Sequence, residues 1–184
     1  MNYREMTGPY EGVEWRGWLA GMIDGEGSIA IGRATGRVGY LRGIQMRPYV
    51  QIANTDRRLI DVSKALMEYV SGHRAFISTV RRQNPNHRLG WAVSSRSNSA
   101  VLALLTSVRP CLIGKAEQAD VVMAYCRRHL ITGPGHRRSD ETFDLDELDY
   151  ARCRVLNRRG NHGGPDIEEM ERMVAAASTK STEG

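Results

Sequence analysis

A chain of 184 residues, 41% hydrophobic and 26% charged, is long enough for one domain with a real core, or one domain and a tail, without disulfides or a structural metal. Its mean hydropathy of −0.45, with no apolar run near ~18 residues, excludes a membrane-spanning helix, and residues 1–10 hold no apolar signal core, so a cytoplasmic protein is expected. The net charge of +5 hides a polarity: Ser28 to Arg96 carries twelve Arg or Lys against three Asp or Glu, net +9, whereas Asp140 to Asp149 carries six acids and no base.

In chain order, Val13, Trp15, Trp18, Leu19, Met22 and Ile23 predict a helix over 13–24, stopped by Gly25 and Gly27. A strand follows at Ser28 to Ile31, then a Gly/Arg-rich turn from Gly32 to Gly43. A second strand, Ile44 to Ala53, alternates: Ile44, Met46, Val50 and Ile52 face one side, Gln45, Arg47, Tyr49 and Gln51 the other. Pro48 on its apolar side signals an edge or a bulge. Asn54-Thr55-Asp56 starts a helix with Leu59, Val62, Leu66 and Val70 at helical spacing, ending at Ser71-Gly72. Strands at Ala75 to Arg82 and Leu89 to Ser95 flank a turn at Asn84-Pro85-Asn86. A helix from Ser97 to Val108 takes Asn98 or Ser99 as its cap. The next, Gly114 to Leu130, sets Ala119, Val122, Met123, Cys126 and Leu130 on one face.

Beyond a Gly/Pro/Arg loop, a helix over Phe143 to Arg159 has acids first and arginines last, as the helix dipole favours. It packs on the outer helices or extends a contact through its arginines. A short helix around Ile167, Met170 and Met173 precedes a polar tail. The divisions expected are 1–131, 132–165 and 166–184. Cys111, Cys126 and Cys153 have no metal-like spacing and read as reduced thiols. Of the 26 basic residues only Lys64, Lys115 and Lys180 are lysine. The central positive excess is the footprint of a phosphate-backbone partner, or simply a solvated basic surface.

Residues 18–29 carry the chemistry. Gly17, Ala20 or Gly21, and Asp24 recur at three-to-four-residue spacing, giving the first helix a face of small side chains on which a second helix can approach closely. Glu26 then stands between Gly25 and Gly27. A carboxylate so little covered suits a hard cation such as Mg²⁺, and two such helices side by side would bring two glutamates together, as two-metal phosphodiester hydrolysis requires.

Leu19 to Gly27, read as L-A-G-M-I-D-G-E-G, resembles the signature of the LAGLIDADG homing endonucleases, and it opens an α-ββ-α-ββ-α pattern. The resemblance covers about Glu11 to Leu130. It includes Gln51 to Asp56, similar to the family's second strand entering its second helix, and Arg109 to Lys115, similar to the segment with its active-site lysine. The resemblance implies an α+β fold, the core α-ββ-α-ββ-α with an antiparallel β saddle, here followed by a C-terminal helical extension.

It implies that Glu26 binds the cation with the Gly25 carbonyl, that Asn54 orients water, and that Arg58 and Lys115 stabilise charge at the phosphate. Asp24 would tie the helix end to its partner. Gly17, Ala20, Gly21 and Asp24 would form the dimer interface. The saddle would lie in the major groove of double-stranded DNA. Gln45, Arg47, Tyr49 and Gln51 would read base edges, since Gln pairs with adenine and Arg with guanine by two hydrogen bonds. Ser28, Arg33, Arg37, Arg42, Arg81, Arg82 and Arg88 would add further DNA contacts. A ten-residue strand spans ~33 Å, about one turn of DNA.

The motif occurs once, so the resemblance implies a homodimer on a roughly palindromic site, cutting both strands to leave short 3′ overhangs. An intron RNA maturase, or a DNA-binding regulator without cleavage, could be built on the same fold. RNA would be a partner only in the maturase case. Which face of the third and fourth strands meets DNA stays open, since Phe76 and Ile77 compete for the core.

Overall fold

The computed structural model describes residues 13–80, 89–131, 139–158 and 172. Helix α1 (Val13–Glu26) passes without a loop into strand β1 (Gly27–Ala34). Gly27 permits this junction: a Cβ there would lie 2.6 Å from the Ile23 carbonyl oxygen and 2.7 Å from the Ile23 Cα, backbone atoms that cannot step aside. The helix therefore runs past Gly25, the expected stop. Gly25 has open space around it, and the chain turns only where it meets its own preceding turn.

After a 3₁₀ turn at Leu41–Gly43 come β2 (Gln45–Asn54), α2 (Arg57–Ser71), β3 (Phe76–Val80), β4 (Gly90–Ser95) and α3 (Asn98–Val108). A second 3₁₀ turn at Arg109–Cys111 precedes α4 (Ala116–Ile131) and α5 (Asp140–Leu156). This is the expected α-ββ-α-ββ-α order with a helical extension. The four strands form an antiparallel sheet in the order β1-β2-β4-β3. Pro48 sits opposite Ile31, in the half of β2 that extends beyond the end of β4 and has β1 as its neighbour. On the side without β4 the strand is an edge, the kind of position where a residue without an N–H is tolerated.

Asp56 accepts the Arg58 N–H to cap α2, and Gly72 closes it at φ 68°. Ser97 caps α3, one residue before the positions expected. The buried face of α2 is rotated from the expected one: Ile60, Ser63, Leu66 and Met67 are buried, while Leu59, Val62 and Val70 are half-buried. Ser63 can be inside because its hydroxyl donates to the Leu59 carbonyl at 2.7 Å. Leu130, expected on the apolar face of α4, is exposed; Tyr125 takes the inner position and its hydroxyl donates to the Met46 carbonyl at 3.1 Å.

Helices α1 to α4 cover one face of the sheet around a core that includes Leu19, Ile23, Ile29, Val50, Ile52, Val93, Leu104 and Val122. Helix α5 packs on α4 and along the outer edge of β1, and gives Phe143 and Cys153 to the same core. The Asn157 amide donates to the Ile29 carbonyl at 3.0 Å, occupying an edge group that would otherwise be open to another strand. Burial pushes the Cys126 and Cys153 thiols up to about 12, which leaves them inert. The short helix and tail expected near 167–184 lie outside the described residues, except for residue 172.

Candidate active site and nucleic-acid interface

Glu26 is the last residue of α1 and is exposed. Local energetics do not favour an acid there, since the C-terminal end of a helix carries partial negative charge. The last turn of α1 also holds no basic residue of its own. The compensating cation comes from far along the chain: the Lys115 ammonium donates to the Asp24 carbonyl oxygen. The Asp24 carboxylate in turn accepts the Ile113 N–H at 2.8 Å and the Lys115 N–H at 2.9 Å. Asp24 thus ties the helix end to the 112–115 segment of its own chain. It fixes both the backbone and the side chain of Lys115 two residues before Glu26.

Among the described residues the Glu26 carboxylate has no hydrogen bond or ion pair, and no cluster of three or more His, Cys, Asp or Glu is present to hold a metal. One open carboxylate with an adjacent exposed backbone is a donor set that fits a hard cation keeping most of its water, rather than a closed protein cage.

The strand register decides which side chains face away from the helices. Gly27 pairs with Ile52 and Asn54 with Trp91, so Glu26, Asn54 and Trp91 gather at one end of the sheet. Facing outward are Ser28 on β1; Gln45, Arg47, Tyr49 and Gln51 on β2; Ala92 and Ser94 on β4; and Phe76, Ser78 and Val80 on β3. On β3 the core takes Ile77 and not Phe76, which is 61% exposed. Ser28, Gln45, Arg47, Tyr49 and Gln51 line one concavity of about 440 Å³, and Arg96 joins them, its guanidinium donating to the Ser94 hydroxyl at 3.2 Å. Sequence reasoning missed Arg96. The signal was its even spacing from Ala92 and Ser94, unreadable until the parity of β4 was known.

Two of the expected contact residues are also engaged by α5. Arg33 pairs with Met46 on the helix side of the sheet, binds Glu147 of α5 at 3.1 Å and lies over the Tyr150 ring. Arg42 binds Asp140 at 2.9 Å and Asp144 at 3.1 Å, and lies over the Phe143 ring. Both reach acids of α5 a hundred residues away; Arg33 also lines the concavity of the outward row, whereas Arg42 sits in the turn beside it. Arg37 is exposed in the β1–β2 turn. Arg81, Arg82 and Arg88 lie outside the described residues.

Asn54 accepts the Asp56 N–H at 2.8 Å, making a turn that starts α2. Arg58 is folded back onto Asp56 at 2.7 Å, with its side chain 90% exposed. Its neighbour Arg57 lies over Trp91 at 5.9 Å from the ring centroid and binds Asp61. A second concavity, about 430 Å³, joins Gly27, Ser28 and Lys115 to Arg154 of α5 and to Asn157, which caps that helix.

Of the small-residue stripe, Gly17 and Gly21 are exposed, and a Cβ added to either would meet nothing within 4 Å. Ala20, expected beside them, is fully buried in the chain's own core. The open face of α1 is therefore Gly17, Gly21 and Gly25, with Asp24 at its edge.

No protein-family profile matches the chain, and no curated protein matches its sequence. Its fold does match solved structures. The homing endonuclease I-CvuI in complex with a DNA target superposes with a TM-score of 0.62 at 15% identity, over 87% of this chain and 94% of that one. The archaeal intron-encoded homing endonuclease I-Vdi141I complexed with DNA superposes at 0.57 and 14% identity, over 88% and 94%. The chain has the LAGLIDADG homing endonuclease fold. The LAGLIDADG homing endonuclease I-SmaMI bound to cleaved DNA also matches, at 0.51 and 15% identity, but there 79% of this chain covers 43% of that one. In this LAGLIDADG fold the Asp24–Lys115 tie and the outward row of β2 meet at the ends of α1 and β1.

Proposed function

We propose that the chain is a site-specific double-strand DNA endonuclease that hydrolyses phosphodiester bonds as a homodimer, with Mg²⁺ as cofactor. The observation that carries this reading is Glu26, an exposed acid at a helix end whose carboxylate makes no bond among the described residues, near a lysine fixed by Asp24 and at the rim of a polar sheet face. The I-CvuI structures, determined with DNA in the presence of Mg or Ca, support a divalent cation. Near-complete overlap with I-CvuI and I-Vdi141I, against 43% of I-SmaMI, supports one copy of the unit per chain and two chains per duplex site. Among the described residues nothing covers the face of Gly17, Gly21 and Gly25, where a second chain would pack.

In this reading Glu26, with the Gly25 carbonyl, holds the cation, which when bound supplies charge to activate water and stabilise the leaving oxygen. Lys115 places positive charge beside the scissile phosphate without having to reorganise, because Asp24 already holds it. Asn54 keeps its amide N–H₂ for water, its oxygen being used in the turn. Arg58 reaches phosphate only by leaving Asp56. Gln45, Arg47, Tyr49 and Gln51 read base edges, while Ser28 and Arg96 flank them. No helix among the described residues is long and apolar enough to cross a membrane, and a cytoplasmic place of action is proposed together with the DNA-cutting role.

The test is cleavage of a randomised duplex library with Mg²⁺ by the wild type and by Glu26→Gln. Cutting at one selected, roughly palindromic sequence by the wild type, and binding without cutting by the variant, is the expected result. Selection of a duplex without any cutting by the wild type would leave a DNA-binding regulator. Preference for structured RNA would leave a maturase.

A further inference from the structure

We propose that α5 sets base discrimination by clamping the β1–β2 turn through Arg42, an inference that rests on the DNA-reading role of the sheet given above. The turn spans residues 35–44 and closes on itself through backbone hydrogen bonds such as Arg37 N–H to the Gly43 carbonyl at 2.9 Å, but it carries several backbone positions that need outside support. Gly36, Gly39 and Gly43 adopt φ of 71°, 85° and 66°. Such glycines leave the unfolded turn many alternatives. Arg42 sits at φ 52° without being glycine, a backbone state that L-residues adopt when surroundings hold them there.

Those surroundings belong to α5. The two arms of the Arg42 guanidinium take Asp140 at 2.9 Å and Asp144 at 3.1 Å, one helical turn apart, and the group lies 4.7 Å from the centroid of Phe143. Phe143 is itself buried in the core, so the clamp is anchored to the rigid body of the protein. Arg33, on β1 before the turn, is held the same way by Glu147 and Tyr150.

The turn delivers this restraint to the outward face. Two residues before Arg42, the Tyr40 hydroxyl meets the Gln45 side-chain amide. With its amide oriented to suit its neighbours, Gln45 also accepts from the Arg47 guanidinium at 2.8 Å and 3.1 Å. Gln45 and Arg47 are the outermost polar side chains of β2 on that face. A bidentate base contact demands that each donor and acceptor be held in place, and a turn free to move would let Gln45 and Arg47 accept several bases. Arg42 is thus a positioning residue, and Asp140 and Asp144 position it.

The experiment compares the wild type, Asp140→Asn/Asp144→Asn and Gln45→Ala on single-base variants of the selected site. The double variant is expected to cut the preferred site at the wild-type rate. It should lose ~10-fold of its discrimination at the positions where Gln45→Ala loses it, about the value of one good base contact. The charge swap Arg42→Glu/Asp144→Arg should recover part of that loss. A folded double variant with the wild-type preference profile, or a loss spread evenly over every position, overturns the clamp. Should the double variant fail to fold, Asp144→Asn alone is read the same way. If the wild type selects a duplex but cuts none, the nuclease reading fails, and the profile is then read from binding selection, where the clamp stands or falls on the same positions.

Discussion

Asp24 holds Lys115 at two points: its carboxylate accepts the Lys115 N–H at 2.9 Å and its carbonyl oxygen accepts the Lys115 ammonium. Asparagine at this position keeps one acceptor and turns an N–H₂ toward the second of the two backbone N–H groups now bound. Asp24→Asn is therefore expected to cost about 1–3 kcal/mol, the penalty of a donor left unpaired. Urea denaturation measures it. Unchanged stability would mean that the tie is replaced by water.

Gly27 and Gly21 make opposite predictions on the same helix. Gly27→Ala places a methyl 2.6 Å from a backbone oxygen and is expected to destabilise by ~3 kcal/mol or more, since backbone yields less than a side chain. Gly21 has open space, so Gly21→Ala should stabilise the single chain by about 0.5–1 kcal/mol through helix propensity. If the face receives a second copy, the same variant should weaken self-association in sedimentation. A Gly21→Ala chain that is more stable and equally dimeric would place the dimer contact elsewhere.

Asp146 is fully buried and accepts from Arg128 at 2.8 Å and contacts His129 at 2.9 Å. Removing it leaves a guanidinium, 22% exposed, with part of its partner set gone. Asp146→Ala is expected to cost about 3 kcal/mol, the scale for breaking a buried ion pair from one side. Hydrogen exchange should show the loss in α5 before the sheet. Uniform loss across the fold would show that α5 does not open on its own.

The cap of α2 should make stability depend on acid pH. The Arg58 guanidinium, and then its backbone N–H, hold the Asp56 carboxyl down to about 2 from an ordinary 3.8. With the folded value depressed, the unfolded chain takes up the proton first as pH falls. The contribution is therefore complete above about 3.8 and fades as pH drops through about 2. Asp56→Asn should show a lower thermal midpoint than the wild type at neutral pH and converge with it in strong acid. A constant gap across that range would mean that the charge of Asp56 contributes nothing.

Elements whose signals are local are legible in the chain. The start of α2 follows from Asn54 and Asp56 and the alternation of β2 from Gln45 to Ile52, each a matter of neighbouring residues, while α1 runs two residues past its expected end because only Gly27, not Gly25, meets the preceding turn. The inner face of α2 is misread because Ser63 looks polar in isolation, while in the helix its hydroxyl is satisfied by Leu59. The parity of β4 is unreadable because Ala92, Val93, Ser94 and Ser95 are all buried, leaving no alternation to follow. The pairing of Arg33 and Arg42 with acids of α5 is not readable in the linear chain, because those acids are distant in sequence.

The sequence by itself determined the order of elements, the position of Glu26 at the end of a small-faced helix, and the outward row from Gln45 to Gln51. These depend on backbone sterics, capping and a period of two, all of which act within a few residues. Only the tertiary structure decided that Ala20 belongs to the core, that Arg96 joins the outward face, and that Asp24 grips Lys115. It also paired Arg33 and Arg42 with acids of α5. Ion pairs and packing choose partners by distance in space, and strand pairing had to set those distances before any side chain could be assigned a role.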